Sequence, residues 1–313
     1  MKKRIDVSII VVSYNHEKYI KDAIESVLKQ KVNFNYEIIF ADDCSKDNTQ
    51  ELIKKYTKNI NNILYLFSKT NKGNTKNVLN AYQHAKGKYI TCLEADDYWY
   101  SDIKLQTQYD FLENNKEYIA VSNKRFTVNK NGEKILSYPL NIKKDRDITL
   151  KNFLHGNYFS GVEAMFCNIF QDNIDKKFLK LFAADRMIGD LPLCIYLCSH
   201  GKVRVLAKDF SVYRTNTSGN TESYNSKLKL LKIAKDHVLI LNRLSGYYSY
   251  DFSYLYASHL LEAKIGKILE KNKKEYKEIK ELIPPNNKFL YLKMIPFLDL
   301  FLKNTINKIK FKI

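Results

Sequence analysis

Short apolar runs alternate with stretches of helical spacing through the first hundred or so residues. Ile5 to Ser13 reads as a first strand, and Asn15 or His16 opens a helix whose Ile20, Ala23, Ile24, Val27 and Leu28 share a face. Tyr36 to Ala41 is a second strand, closed by Asp42-Asp43. Asp47-Asn48-Thr49 then starts a helix carrying Leu52, Ile53 and Tyr56. Ile63 to Phe67 is a third strand. The loop Ser68 to Asn74, with Lys72-Gly73, leads into a helix through Val78, Leu79 and Tyr82 that ends at Gly87. Tyr89 to Leu93 is a fourth strand, apolar enough to be buried on both faces. Ser101-Asp102 caps a helix marked by Leu105, Tyr109 and Leu112. Strands and helices alternating at such intervals predict an α/β fold, a mostly parallel sheet with helices on both faces.

The pattern then loosens. Tyr118 to Val128 and Glu133 to Tyr138 flank Asn131-Gly132, a hairpin signal. Gly161 to Cys167 predicts a strand, Leu191 to His200 a helix closed by Gly201, and Val203 to Leu206 and Phe210 to Tyr213 two short strands. Thr215 to Ser226 reads as a loop, and from Lys227 onward the periodicity is helical, broken at Pro284-Pro285. A boundary near Tyr224 divides the chain into a domain over 1–224 and a basic helical extension over 225–313. The best candidate for a spanning segment, Phe289 to Leu302, is interrupted by Lys293, Pro296 and Asp299. Residues 288–313 pair apolar positions with six lysines and a single aspartate, which suits either an amphipathic helix on an anionic membrane surface or a packed terminal helix.

Composition narrows the partners. Lysine and arginine exceed acidic residues by 18 charges, an excess that suits nucleic acid, anionic lipid or phosphorylated small molecules. The five cysteines form no CxxC pair, which predicts free thiols in a reducing compartment and hence a cytoplasmic location. Asp6 and Ser8 interrupt the apolar start, so it reads as a buried strand rather than an export signal. The six histidines show no zinc-ligand spacing.

Carboxylates gather where strands end. The fourth strand stops at Glu94, Asp96 and Asp97, the second at Asp42-Asp43, and the first at Ser13-Tyr14-Asn15 with Glu17 beyond. In an open α/β sheet the carboxyl ends of the strands form the ligand crevice. Clustered carboxylates repel unless a cation sits among them, and Mg²⁺ or Mn²⁺ holding a diphosphate is the natural partner. Solvated turns or helix caps are the alternative.

VSIIVVSYNHEKYI, FADDCSKDNT, NKGNTKNVLNA and YITCLEADDYW, followed by GDLPLCIYLCSHGKVRVL and FSVYRTNTSG, resemble the successive motifs of glycosyltransferase family 2. The resemblance covers roughly residues 5 to 220. It implies a Rossmann-like GT-A fold and inverting sugar transfer from a nucleotide-diphosphate sugar, a UDP-sugar by expectation, with a divalent metal (Mn²⁺ or Mg²⁺) as cofactor. It places residues about 1–100 in the nucleotide-sugar half and about 101–224 in the acceptor half. By position it implies that Ser13, Asn15 and Glu17 line the nucleotide pocket and that Asp42, with Asp43, holds the base. Lys72 and Gly73 would approach the nucleotide, and Asp96 and Asp97 would hold the metal, with Glu94 standing where the family often has aspartate. Asp190 resembles the general base, with Asp185 as the alternative, and Arg214 matches the family's Tyr-Arg element, whose usual histidine two residues on is Asn216 here. Trp99 suits either a sugar face or packing. A glycan or lipid-linked acceptor in bacterial surface polysaccharide synthesis is the expected partner, with no nucleic acid, and a homodimer is compatible with the helical extension. A sugar-nucleotide nucleotidyltransferase would need a glycine-rich basic loop after the first strand, where SYNHEKY stands. A hydrolase with a nucleophilic aspartate would place its acidic motif there too. A non-catalytic or membrane-surface binding module accounts for the charge but not for the ordered carboxylates.

Overall fold

The computed structural model describes residues 4–129, 131–139, 142–171, 175–183, 190–215, 230–270 and 272–284. The chain divides into two compact units. One is Met1–Phe153 with Asn157–Glu222, and the other is Leu154–Gly156 with Ser223–Ile313. The expected boundary near Tyr224 and the basic segment 288–313 lie outside the described residues.

The first unit is built on one sheet. Its strands are β1 (Val7–Ser13), β2 (Tyr36–Asp42), β3 (Ile63–Phe67), β4 (Tyr89–Glu94), β5 (Tyr98–Trp99), β6 (Tyr118–Val128), β7 (Lys134–Tyr138), β8 (Arg146–Ile148), β9 (Met165–Cys167) and β10 (Lys202–Arg214). The helices are α1 (Ile20–Leu28), α2 (Thr49–Thr57), α3 (Asn74–His84), α4 (Lys104–Asn114), α5 (Leu150–Leu154), α6 (Lys176–Ala183) and α7 (Asp190–His200). The order β3-β2-β1-β4-β9-β6-β10-β5 carries β7 on β6 and β8 on β10. The long ladders, β1 with β2 and β4, β2 with β3, and β6 with β10, are parallel, while the short β9 joins the halves antiparallel to both β4 and β6. The sheet is therefore mixed and mostly parallel, as the alternation of strands and helices predicts.

β1 is buried at every position and β2 and β4 at nearly every one, because helices cover both faces of the sheet. Ile9, Val11, Ile38, Phe40 and Leu93 form one core with Ile20, Ile24 and Val27 of α1 and Leu105 and Leu112 of α4. At the amino edge the buried carboxylate of Glu37 accepts from Ser8 Oγ at 2.6 Å and from the amide of Lys86 at 2.7 Å. Gly87 passes so close to β1 that a Cβ would stand 2.4 Å from the Ser8 nitrogen, so only glycine fits.

Several details differ from the sequence reading: α1 begins only at Ile20 and α3 ends already at His84. The two short strands expected at 203–206 and 210–213 are one strand, β10, whose register against β6 shifts between Leu206 and Asp209 and again before Ser211. The irregularity lets a single strand bend while staying paired. The strand expected from Gly161 begins only at Met165, since the preceding residues turn. Helix α4 starts at Lys104, with Ser101 Oγ accepting from the amide of Ile103 at 3.4 Å rather than capping the helix itself.

The second unit contains α8 (Leu230–Tyr247), α9 (Ser253–Glu270) and α10 (Lys273–Leu282). Asn272 caps α10 through the Glu275 amide at 3.1 Å, Lys235 pairs with Glu278 at 2.9 Å, and Tyr256 donates to Asn242 Oδ1 at 2.6 Å. Among the described residues no helix is long and apolar enough to cross a membrane.

Candidate active site

The carboxyl ends of β1, β2 and β4 form one rim, because Ser13 pairs with Asp42 and Val12 with Glu94 in register. The loops that follow β1 and β2 are laced together. The Asn15 amide donates to Ser45 Oγ at 2.8 Å, the Lys46 amide to Asn15 Oδ1 at 2.8 Å, and the His16 amide to Thr49 Oγ1 at 2.8 Å. Glu17 Oε2 accepts from the amide of Asn48 at 3.1 Å, and the Glu17 amide donates to Asp47 Oδ2 at 3.1 Å. Asn15 and Cys44 take positive φ, 57° and 68°, which turns both loops sharply at the strand ends. Asn15, Glu17, Lys18, Lys46 and Asp47 line a solvent-open pocket here.

Asp42 lies beneath this lacing, fully buried. Its carboxylate accepts from Ser13 Oγ at 2.7 Å, from the Ser45 amide at 2.8 Å, from Ser45 Oγ, and from Gln50 Nε2 at 2.6 Å. Asp43 accepts from the amides of Lys72 at 2.7 Å and Gly73 at 2.8 Å, which draws the loop before α3 onto the rim. Burial raises the Asp43 carboxyl above its ordinary range, those two amides pull it back, and Asp42 pushes it up again. The inference that all of these clustered carboxylates require a cation is thus corrected for Asp42 and Asp43: hydrogen-bond donors of the protein itself satisfy them. Ser13, Asn15, Glu17, Asp42, Asp43, Lys72 and Gly73 nonetheless lie together on the rim, as their sequence positions imply.

The second cluster is different in kind. Glu94, Asp96 and Asp97 each offer a carboxylate oxygen, and these atoms lie within 4.8 Å of one another. Asp97 is 3% exposed and accepts from the Arg214 amide at 2.8 Å. Burial, then the charges of Asp96 and Glu94, push the Asp97 carboxyl well up. Burial, then Asp96 and Asp190, push the Glu94 carboxyl up to about 8, against the pull of Arg125. Three carboxylate oxygens confined this closely suit a hard divalent cation, which takes oxygen ligands and needs them ionised. The residues present therefore fit the metal that the sequence implied. His16 Nε2 stands 3.9 Å from Asp96 Oδ2.

Asp190 opens α7, close enough to Glu94 for its charge to act there. Solvent reaches the residue, yet the surrounding protein is dense enough to raise its carboxyl; Arg125 opposes the shift and Glu163 reinforces it. Gly161 lies beside it: a Cβ there would stand 3.2 Å from Cys194 Sγ and 4.0 Å from the Asp190 carboxyl carbon. Arg214, the last residue of β10, donates from Nη1 to the Asp96 carbonyl at 3.0 Å, pairs with Asp22 through Nη2, and lies 4.4 Å over the Tyr98 ring. Asp185 and Asn216 lie outside the described residues. Trp99 is a packing residue: it is 4% exposed, and the Lys104 ammonium lies 4.7 Å over its ring.

Sequence reasoning missed two charged members of this cluster, Arg125 and Glu163, which pair at 3.8 Å with side chains 18% and 5% exposed. A carboxylate inside the otherwise apolar GVEAMF was the available signal.

The model of the family described as glycosyl transferase family 2 matches residues 8–173, more than half of the chain. The chain belongs to glycosyltransferase family 2. An uncharacterised protein of Mycobacterium bovis is 28% identical over 217 residues, 68% of this chain and 60% of its own length. The putative teichuronic acid biosynthesis glycosyltransferase TuaG of Bacillus subtilis is 37% identical over 106 residues, 34% of this chain and 41% of its own. The Escherichia coli enzyme WfaP, a UDP-Glc:α-D-GlcNAc-diphosphoundecaprenol β-1,3-glucosyltransferase, is 37% identical over 117 residues, 37% of this chain and 45% of its own. The matches thus span about half of these relatives' lengths. The crystal structure of S. aureus TarS 1–349 in complex with UDP-GlcNAc superposes with a TM-score of 0.66 at 19% identity, covering 96% of this chain and 88% of that one. The family 2 member described here shares that GT-A fold.

One consequence of the acidic cluster is measurable without any ligand. A carboxyl raised from 4.5 to about 8 on folding contributes stability that is complete below 4.5 and lost as pH rises through about 8. In EDTA the melting temperature is expected to fall across that window, and Glu94→Gln to flatten the fall. An unchanged slope in the variant would show that Glu94 is not the group responsible.

Proposed function

We propose that this family 2 protein moves a sugar from a UDP-sugar to a hydroxyl of a glycan or lipid-linked acceptor, with inversion, in the synthesis of a bacterial surface polysaccharide. The observation that carries the reading is the convergence of Glu94, Asp96, Asp97 and Asp190 on one charged cluster beside the Ser13 to Asp42 rim. The complex of TarS with UDP-GlcNAc and the acceptor in WfaP's name support the donor and acceptor classes.

In this reading Ser13, Asn15, Glu17, Asp42, Asp43, Lys72 and Gly73 form the nucleotide side. The laced loops fix the pocket's shape before any donor arrives, which spares the ordering cost on binding. Asp96 and Asp97, with Glu94 beside them, would hold Mn²⁺ or Mg²⁺, which when bound neutralises charge on the diphosphate. Arg214, whose Nη1 donates to the Asp96 carbonyl and whose Nη2 pairs with Asp22, is assigned to the same diphosphate, which its fork would engage by exchanging those partners. Asp190 takes the proton of the acceptor hydroxyl as its oxygen attacks the anomeric carbon. The new C–O bond forms on the face opposite the departing diphosphate, which leaves with the electron pair of the broken bond. Burial and Glu163 raise the carboxyl of Asp190, which makes it a stronger base than a free aspartate.

Residues 1–224 form the catalytic domain in this proposal, nucleotide-sugar half first, and 225–313 a helical extension that holds the enzyme at the cytoplasmic membrane surface through 288–313. A thermal-shift screen of UDP-, GDP-, CMP- and dTDP-sugars, each with and without Mn²⁺, tests the donor assignment. A UDP-sugar at a hundred times its Kd should stabilise by about 2.7 kcal/mol. A folded protein that no nucleotide sugar stabilises would sink the transferase reading.

A further inference from the structure

Arg125 is charged and half-buried and Glu163 charged and buried, and beyond the influence of Glu163 on Asp190 neither has a role in the transfer described above. Arg125 lies on β6, in register with Tyr138 of β7 and Ser211 of β10. Its guanidinium carbon is 5.7 Å from the Tyr138 ring and 4.4 Å from the Tyr213 ring, so aromatic faces hold it in place. Nη1 is 3.8 Å from Glu163 Oε1, while Nε is buried without a hydrogen-bond partner among the described residues. Glu163 is anchored in turn. Ser211 Oγ donates to its Oε2, and its backbone carbonyl accepts from Lys104 Nζ at 3.2 Å and Gln108 Nε2 at 2.9 Å.

A pair held this firmly does not move out of the way of its neighbours. Burial opposes the charge of Arg125, but Glu163, Asp97 and Glu94, in that order, outweigh it and raise its basicity. Arg125 also acts in the opposite sense on Glu94, Asp97 and Asp190, lowering each. Met165 of β9 pairs with both Thr91 of β4 and Val121 of β6, so Glu94 and Arg125 follow toward the same end of the sheet. There Arg125 opposes and Glu163 reinforces the negative charge felt by Glu94 and Asp190.

We propose that the Arg125–Glu163 pair, fixed against Tyr138 and Tyr213, is the internal counter-charge of the acidic centre and sets how strongly Glu94, Asp96 and Asp97 draw a divalent cation. Both are positioning residues, acting through the carboxylates. The inference rests on the transferase reading only for its purpose; the charge balance itself needs no donor.

The two halves of the pair push the cation in opposite directions, which makes the test specific. MnCl₂ alone is titrated into the full chain, followed by calorimetry or by the electron paramagnetic resonance of free Mn²⁺. Arg125→Gln removes positive charge acting on the ligands and is expected to tighten Mn²⁺ at least about threefold. Glu163→Gln leaves Arg125 unbalanced and is expected to weaken it by a similar factor, with the double variant near wild type; charges a few ångströms apart under a raised effective dielectric allow at least that much. Loss of one partner from a largely buried pair also destabilises, so Arg125→Lys serves as a variant that keeps the charge and should stay within about twofold of wild type. A structural role alone would move both glutamine variants the same way. Shifts of one sign, no shift in any variant, or no Mn²⁺ binding by wild type would each overturn the proposal. Opposite shifts in a protein that no nucleotide sugar stabilises would instead leave the counter-charge standing and remove the transferase reading.

Discussion

Asp190→Asn is expected to lower the turnover of sugar transfer at least about a hundredfold, the lower range for loss of a general base. Asparagine has nearly the same shape and suits the start of a helix, so the local fold is preserved. The carboxylate's interaction with the helix dipole contributes about 0.3–1 kcal/mol, and its repulsion from Glu163 and Glu94 opposes that contribution. The melting temperature should therefore hardly change while the rate collapses. The donor KM should also stay near wild type, because the proton is taken from the acceptor. Initial rates with saturating donor, read beside a melting curve, separate this outcome from misfolding. An Asp190→Asn enzyme retaining most of its turnover would remove the residue from the role of base.

The legible part of this protein was local. β1, β2 and β4 announce themselves because strands buried on both faces lose their polar alternation, and the residues that stop them, Asp42 and Glu94, follow directly. Chain continuity then delivers Asp43, Asp96 and Asp97 to the same rim. What could not be read is whatever depends on partners remote in sequence. Asp42 looks like one more repelling carboxylate until Ser13 and Gln50 are seen closing on it. Arg125 reads as an ordinary strand residue, and its meaning comes from Glu163 and Tyr213, which reach it only because β9 and β10 flank β6. The split of β10 into two expected strands has the same origin: the shifts of register at Leu206 and Asp209 are absorbed by pairing with β6, and the polar residues there read as a break. Periodicity reports burial along one element, and these features are set between elements.

Asp97→Asn is expected to separate ion binding from the fold. Asp97 is 3% exposed, and the amide of Arg214 donates to its Oδ1 at 2.8 Å. Asparagine can keep that bond through its own Oδ1, so the junction between the loop after β4 and the end of β10 survives. What is lost is one ionised oxygen from a set confined within 4.8 Å. Hard divalent ions draw most of their affinity from charged oxygen ligands, so Mn²⁺ binding should weaken at least about tenfold, and transfer should fall about a hundredfold if the ion offsets charge on the departing diphosphate. In EDTA the stability should move the other way. The aspartate carboxyl is strained upward by burial, Asp96 and Glu94, and a neutral amide relieves that repulsion while preserving the contact with Arg214. A variant that melts higher without metal, gains less from Mn²⁺ and transfers sugar slowly would identify Asp97 as a ligand whose cost to the fold is offset only when the cation is bound. Undiminished Mn²⁺ affinity in a folded Asp97→Asn protein would move the ion elsewhere.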